Sequence, residues 1–165
     1  MKKSEKSGFV RRAADSDIPI IEAWLPRDQA IESMAVNWKT TLKVFHTYGM
    51  WVWEDGVTRE PVAYFWGSLA STNSVLEVRP EYRRCGIGRA FVQHLIDEMK
   101  GTGEDLLEIE CAPPSSKAFW HAMGFEIIPD GRRLIGRRNI RVPPLSLSEG
   151  SVPCISPEAV EQREG

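Results

Sequence analysis

The sequence predicts an α+β domain whose elements follow the order β-α-α-β-β-β-α-β-α-β-β. Three observations carry that reading. Residues 73–100, NSVLEVRPEYRRCGIGRAFVQHLIDEMK, read as a strand, a sharp arginine- and glycine-rich loop and a helix. Leu107, Ile109 and Cys111 alternate with Glu108 and Glu110, the period of a half-buried strand. Asp55-Gly56 and Asp130-Gly131 each stand between two strand candidates as a turn signal.

Residues 1–7 are polar and read as a loose segment before a first strand over Gly8 to Ala13. Asp15-Ser16-Asp17 offers a helix cap before Ile18, Ile21, Trp24 and Leu25, with Pro19 tolerable in the first turn. Pro26 interrupts, and Ile31, Met34, Ala35, Trp38, Leu42 and Phe45 then share one face of a second helix that Gly49 ends. Met50 to Glu54 and Pro61 to Leu69 predict two strands. Trp51 with Trp53, and Tyr64 with Trp66, each share a strand face. They can form an aromatic wall beside a substrate or pack as core under helices. Val78 closes the next strand, because Arg79-Pro80 removes a ladder donor and restricts the residue before it.

From Ile87 the apolar residues Ile87, Ala90, Phe91, Leu95, Ile96 and Met99 recur at helical spacing. After a Gly101-Thr102-Gly103 loop comes the strand over Leu106 to Cys111, broken by Pro113-Pro114. Ser115 or Ser116 caps a short helix ending at Met123-Gly124. Phe125 to Ile128 and Arg133 to Arg137 form the last hairpin. The proline- and serine-rich 141–165 reads as a tail, with one helical turn after Ser156-Pro157 and a face that a homodimer partner can cover.

Composition narrows the function classes. A chain of 165 residues holds one core but is short for two. A net charge of −2 provides no basic field for nucleic acid or an anionic membrane, and no apolar run has membrane-spanning length. Cys85, Cys111 and Cys154 lack metal spacing and cannot all pair, which suits a reducing compartment. No apolar core follows Met1-Lys2-Lys3, so the expectation is a cytoplasmic protein without a bound metal.

The loop over Arg83-Arg84-Cys85-Gly86-Ile87-Gly88 carries the chemistry. Glycines at a helix start admit close backbone approach, and the unpaired first-turn N–H groups with the positive dipole end attract an anion. Arginines add charge-assisted hydrogen bonds. The inference is a phosphate site, yet Gly-Lys-Ser/Thr is absent and Phe91 occupies the third glycine of a dinucleotide fingerprint. Arg83-x-x-Gly86-x-Gly88 resembles the R/Q-x-x-G-x-G/A signature of the GNAT-superfamily N-acetyltransferases, and Leu76 to Arg83 is similar to that family's fourth strand and its exit. Leu106 to Phe125, LLEIECAPPSSKAFWHAMGF, resembles the later cofactor-binding segment, with Phe119, Gly124 and Phe125 in register. The two segments cover about a third of the chain, and the element order extends the likeness to residues 8–140.

The resemblance implies a mixed, mostly antiparallel sheet of six or seven strands with helices on both faces. It also implies acetyl-CoA as donor and direct transfer to a small-molecule or peptide amine. Diphosphate would rest on the backbone of Arg84, Cys85, Gly86, Ile87, Gly88 and Arg89 with Arg83 beside it. Pantetheine would pair with Leu76, Glu77 and Val78, where the fourth and fifth strands splay, and touch Ser116, Phe119 and Trp120. A backbone N–H near Val78 would stabilise the oxyanion. Glu108 stands where ribosomal-protein acetyltransferases of the family carry a basic glutamate. Glu77 is its rival, set on the opposite strand face from Leu76 and Val78.

The sequence departs from the family at two positions. Pro113 replaces an asparagine that touches the cofactor, and Trp120 replaces the tyrosine that protonates the departing thiolate. Indole is a donor that does not titrate. General acids contribute about 10² to 10⁴-fold, so the substitution slows such an enzyme without abolishing it. A rival reading is therefore a CoA- or acyl-CoA-binding module with weak or lost catalysis, serving as sensor or partner. A toxin acting on aminoacyl-tRNA fits the size but conflicts with the net acidity. Cys85 beside two arginines suits oxidation sensing or plain loop variation, and Cys111 a minor covalent role. His46 and His121 sit at no position the family uses, and Arg132, Arg133, Arg137, Arg138 and Arg141 form one local basic run that can face a phosphate, an acidic acceptor or solvent.

Overall fold

The computed structural model describes residues 7–25 and 38–141. Ile31, Met34 and Ala35 of the expected second helix lie outside them, as do residues 142–165 of the expected tail, Cys154 and the turn after Ser156-Pro157 among them. Four strands, β1 (Gly8–Arg12), β2 (Trp51–Asp55), β3 (Pro61–Trp66) and β4 (Val75–Val78), form one antiparallel sheet in the order β1-β2-β3-β4. Three more, β5 (Leu106–Glu110), β6 (Glu126–Asp130) and β7 (Arg133–Asn139), form a second antiparallel sheet in the order β5-β7-β6. The α-helices among the described residues are α1 (Asp17–Trp24), α2 (Trp38–Tyr48), α3 (Ile87–Met99) and α4 (Lys117–Ala122).

Strand alternation sorts the aromatic residues onto two faces of the first sheet. Val52, Tyr64 and Trp66 face α1 and α2, packing with Ile21, Leu25 and Met50. Trp53 and Phe65 face the other way, onto Phe91 and Leu95 of α3 and onward to Leu107, Ile109 and Phe125. Trp51 packs on the edge of this second cluster. Trp53, Tyr64 and Trp66 are thus core residues, as one of the two readings had it. Burying a ring such as that of Phe91 contributes roughly 2–3 kcal/mol of transfer free energy, so this face holds α3 firmly. On α3 the buried residues are Ile87, Phe91, Val92, Leu95 and Ile96, with Ala90 exposed, because the buried stripe leans one residue from the expected face.

Local chemistry differs from the sequence reading at the helix starts. The Ser16 and Ser116 side chains cap nothing. Asp17 instead accepts the Ala14 N–H at 2.7 Å and a two-pronged bond from Arg11 at 2.7 and 2.9 Å. Arg11 also pairs with the buried Glu54, tying β1, α1 and β2 together. Gly49 does end α2, with φ at +84° and its N–H given to Phe45 O. Pro61 starts β3, but Gly67 at φ +93° ends it before the expected Leu69.

Candidate active site

Hydrogen-bond parity decides which backbone groups face the space between the sheets. Arg79 gives its N–H to Val62 O at 2.8 Å. Alternation then turns Glu77 and Val75 toward β3 and leaves the N–H and C=O groups of Leu76 and Val78 on the far edge of β4. On β5, Cys111 N–H goes to Leu134 O, so Glu108 and Glu110 present their backbone groups to the edge away from β7. Neither edge carries a strand partner among the described residues. The loop between β3 and β4 bridges to β5 through Glu108 N–H and Leu69 O, at 2.8 Å.

The loop after β4 begins with a 3₁₀ turn at Pro80–Tyr82. Arg84 and Gly86 then adopt left-handed backbone conformations at φ +58° and +84°. For Gly86 this is routine and for Arg84 uncommon, a pattern frequent where backbone N–H groups converge on a ligand. Gly86 caps α3, and Ala90 N–H to Gly86 O closes the first turn at 3.0 Å. The N–H groups of Ile87, Gly88 and Arg89 head a helix of 13 residues. Gly88 has a different reason for being glycine. A Cβ there would stand 3.3 Å from the Phe119 ring and 3.9 Å from Val78 Cγ2, so its absence lets α3 seat against α4 and β4.

Arg83 folds back onto β4. Its Nε donates to Val78 O at 2.9 Å and its Nη2 to Glu77 Oε1 at 2.6 Å. Its guanidinium is therefore engaged on the strand edge. Cys85 is half-buried, with Sγ 3.4 Å from Arg83 O. Glu77 is buried beneath this clip, next to Tyr64, whose hydroxyl is pushed up first by burial and then by the Glu77 charge.

Glu108 projects from β5 on the face opposite the buried Leu107 and Ile109. Its Oε2 accepts Arg137 Nε at 2.8 Å, from its register partner on β7. Glu77 and Glu108 thus project from the sheet faces away from α3, each held by an arginine, with Glu108 the more accessible at 32% side-chain exposure against 8%. The expected basic run does not act as one surface. Arg133 pairs with Asp130, Arg137 with Glu108 and Arg141 with Asp105, while Arg138 donates to Met123 O.

Trp120 lies in the core. Its ring meets Phe119 and Phe125 edge-on at 5.0 and 5.3 Å, and it is 7% exposed. Cys111 is also buried, and burial followed by the Glu110 charge pushes its thiol up, which opposes a nucleophilic role. Ser116 Oγ is buried without a hydrogen-bond partner, and Phe119 is half-buried against Gly88.

One feature of this region escaped the sequence reading. A cleft of about 360 Å³ opens at the start of β4, lined by Arg12, Tyr48, Trp51, Trp66, Gly67 and Asn73. These residues come from five places in the chain, so no local motif marks them. Only the Trp51 and Trp66 side chains were flagged, as a wall that can stand beside a substrate.

This arrangement belongs to a known class. Residues 20–125 match the family model described as Acetyltransferase (GNAT) family, and the chain belongs to that family. A ribosomal-protein-alanine N-acetyltransferase of Escherichia coli is 36% identical over 52 residues, which span 30% of this chain and 35% of that relative. The solved structure of the Escherichia coli ribosomal-protein-alanine N-acetyltransferase superposes with a TM-score of 0.60 at 20% identity, covering 86% of this chain and 99% of that one. A GNAT acetyltransferase from Staphylococcus aureus gives 0.61 at 15% identity over 81% and 99% of the two chains. A phosphinothricin acetyltransferase from Sinorhizobium meliloti, solved in complex with AcCoA, gives 0.56 at 19% identity over 86% and 95%. The seven strands and four helices of the described residues are thus a GNAT fold. Among the described residues, no helix is long and apolar enough to cross a membrane and no group of three His, Cys, Asp or Glu residues could hold a metal ion.

Proposed function

We propose that this protein is an acetyl-CoA-dependent N-acetyltransferase that moves the acetyl group directly to an amine. The observation that carries this reading is the open edge of β4, with the Leu76 and Val78 backbone groups unpaired by any strand among the described residues, leading straight into the left-handed turn that caps α3. An amide-bearing arm fits such an edge as an added strand, and a diphosphate fits the helix start. In that role the N–H groups of Ile87, Gly88 and Arg89, with the Arg84 and Arg89 side chains, hold the anion. Arg83 keeps the loop clipped to β4, and the Val78 N–H donates to the acetyl oxygen. Ser116, Phe119 and Trp120 back the arm from the α4 side.

Acetyl-CoA supplies an acetyl thioester, in which the acceptor nitrogen replaces sulfur on the carbonyl carbon and CoA leaves as its thiolate. Glu108 takes the amine's proton, directly or through a water, and the thiolate takes a proton from solvent. Trp120, packed in the core and unable to titrate, does not supply it. The likeness to enzymes named for acetylating ribosomal-protein alanines supports an amine acceptor without choosing between a peptide and a small molecule.

Incubation with acetyl-CoA and a broad amine panel, followed by a thiol assay, is expected to release free CoA. Tight acetyl-CoA binding with no release for any amine would overturn the reading in favour of a binding module. The buried Trp120 is the observation that favours that second reading.

A further inference from the structure

Among the described residues, the cleft at the start of β4 has a single charged group in its lining, and that group is a cation. Arg12 ends β1 and pairs in register with Trp51. Its guanidinium lies over the Trp51 ring at 4.0 Å and makes no ion pair among the described residues. This contrasts with its neighbour Arg11, which alternation turns to the other face and which Asp17 and Glu54 bind fully. Gly49 leaves room for the guanidinium, since a Cβ there would stand 3.3 Å from Arg12 Nη1. The remaining side-chain walls are Trp51, the buried Trp66, the half-buried Val44, and the exposed Tyr48 and Asn73.

The cleft also adjoins the reacting edge. Trp66 pairs with Val75, and the next residue, Leu76, is the first whose backbone groups face the open side of β4. Arg12, Trp51, Phe65 and Leu76 are successive register partners across the sheet, so at about 4.8 Å per strand the Arg12 end of the cleft and that edge stand on the order of 10–15 Å apart. The Gly67–Asn73 loop that floors the cleft also gives Leu69 O to the Glu108 N–H.

We propose that this cleft is the acceptor subsite and that Arg12 binds a carboxylate on the acceptor. The substrate class is then an amine that carries a carboxylate on the order of 10 Å from its nucleophilic nitrogen, with a flat or apolar middle lying along the Trp51, Trp66 and Val44 side chains. This deepens the acetyltransferase reading and rests on it. A guanidinium suits the group because it offers two parallel donors to a carboxylate while its face stays on the indole. The volume is in the range of small-molecule pockets and too small for a folded partner.

The test compares amines that carry a terminal carboxylate about 10 Å from the nitrogen with their carboxamide counterparts, which differ only in the charge of the end group. With wild-type protein and acetyl-CoA, kcat/KM for CoA release is expected to be about 10- to 100-fold higher for the acids, the value of a charge-assisted pair. Arg12→Gln should erase that preference while leaving the KM for acetyl-CoA within twofold, and Trp51→Phe should weaken acids and amides together. Equal rates for acids and amides, a preference that survives Arg12→Gln, or a preference for peptides with blocked C-termini would overturn the proposal. If no amine releases CoA, equilibrium binding of the same acids, followed by tryptophan fluorescence, decides separately. Binding of acids that Arg12→Gln abolishes keeps the subsite and removes only the catalytic reading, whereas no binding of acids removes the subsite.

Discussion

The two ends of β4 are built from different materials. At its C-terminal end the structure relies on backbone: N–H groups of Leu76 and Val78 on the far edge of β4, left-handed Arg84 and Gly86, and the first turn of α3. Arg83 there holds the loop to the strand through Val78 O and Glu77. At the N-terminal end the chemistry is in side chains, Arg12 over Trp51 with Trp66 and Asn73 beside them. A backbone site tolerates change in most of its side chains but not in its dihedral angles, whereas a side-chain site has the reverse sensitivity. One fold can therefore keep a donor fixed while its acceptor varies, and each end should fail in its own way.

Glu108 stands on β5, tied to the β3–β4 loop through Leu69 O, and its substitution has the largest expected effect. Glu108→Gln should lower kcat by about 10² to 10⁴-fold at neutral pH, with the acetyl-CoA affinity unchanged. The partner Arg137 makes the control informative. If Glu108 is only half of a cross-strand ion pair, Glu108→Gln and Arg137→Gln will shift the melting temperature alike and leave kcat untouched. A surface pair contributes about 1 kcal/mol or less, so that shift would be small.

Next in size is the anchor behind Arg12. Asp17→Asn removes the charge that Arg11 grips, at a cost of about 2–3 kcal/mol, or roughly 5–10 °C in melting temperature. Burial alone would raise the Asp17 carboxyl, but the bonds from Arg11 and the Ala14 N–H and the Arg11 charge outweigh it and hold it below its usual range. A lowered folded pKa gives stability that is present above the unfolded carboxyl value, near 3.9, and lost as pH falls through the folded one. Wild-type unfolding free energy should thus drop below about pH 4, and Asp17→Asn should flatten that acid limb. Because Arg11 fixes the end of β1, the variant should also weaken carboxylate discrimination while leaving acetyl-CoA binding within twofold.

Gly86→Val probes the other end. A left-handed backbone costs a residue with a side chain about 1–2 kcal/mol, and relaxing it should weaken acetyl-CoA binding about 10-fold. Gly103 has the same φ of +84° with open space around it, so Gly103→Val makes a matched control. It should cost similar stability and no affinity. Equal loss of affinity in both variants would mean that the loop acts only through global stability.

The C-terminal end was legible in the sequence because it is local: residues 76–89 run without a break from strand through loop to helix start and include every N–H assigned to that end. Even there the reasons differed by residue. Gly86 is needed for its dihedral angle, but Gly88 makes room for Phe119, a contact across 31 positions that spacing alone does not reveal. The N-terminal end was not legible, since Arg12, Trp51 and Trp66 meet only through the β1–β2 and β2–β3 registers. The basic run from Arg132 to Arg141 misled for the same reason. Neighbours in sequence alternate faces on β7, and Arg133, Arg137 and Arg141 each find a nearby acid. Ser16 and Ser116 are good capping residues by type, yet at the first the Asp17 carboxylate takes over the turn.

The smallest expected effect on turnover is that of Trp120→Tyr, and its small size would be informative. If position 120 faced the reacting sulfur, restoring a titratable hydroxyl would raise kcat by up to about 10²-fold or more. In the structure the side chain instead fills a core between Phe119 and Phe125, where the smaller ring leaves a void and a hydroxyl that must find a partner. The expected outcome is a melting temperature lower by several degrees with kcat within twofold of wild type. Single-turnover rates with a thioester of a more acidic thiol extend the test. A sulfur that leaves without side-chain help should respond to thiol acidity equally in both proteins, whereas a tyrosine acting as acid would flatten the response in the variant alone. That flattening, or a clear gain in kcat, would place position 120 at the reacting edge of β4 and make the tryptophan a lost catalytic group instead of a core residue.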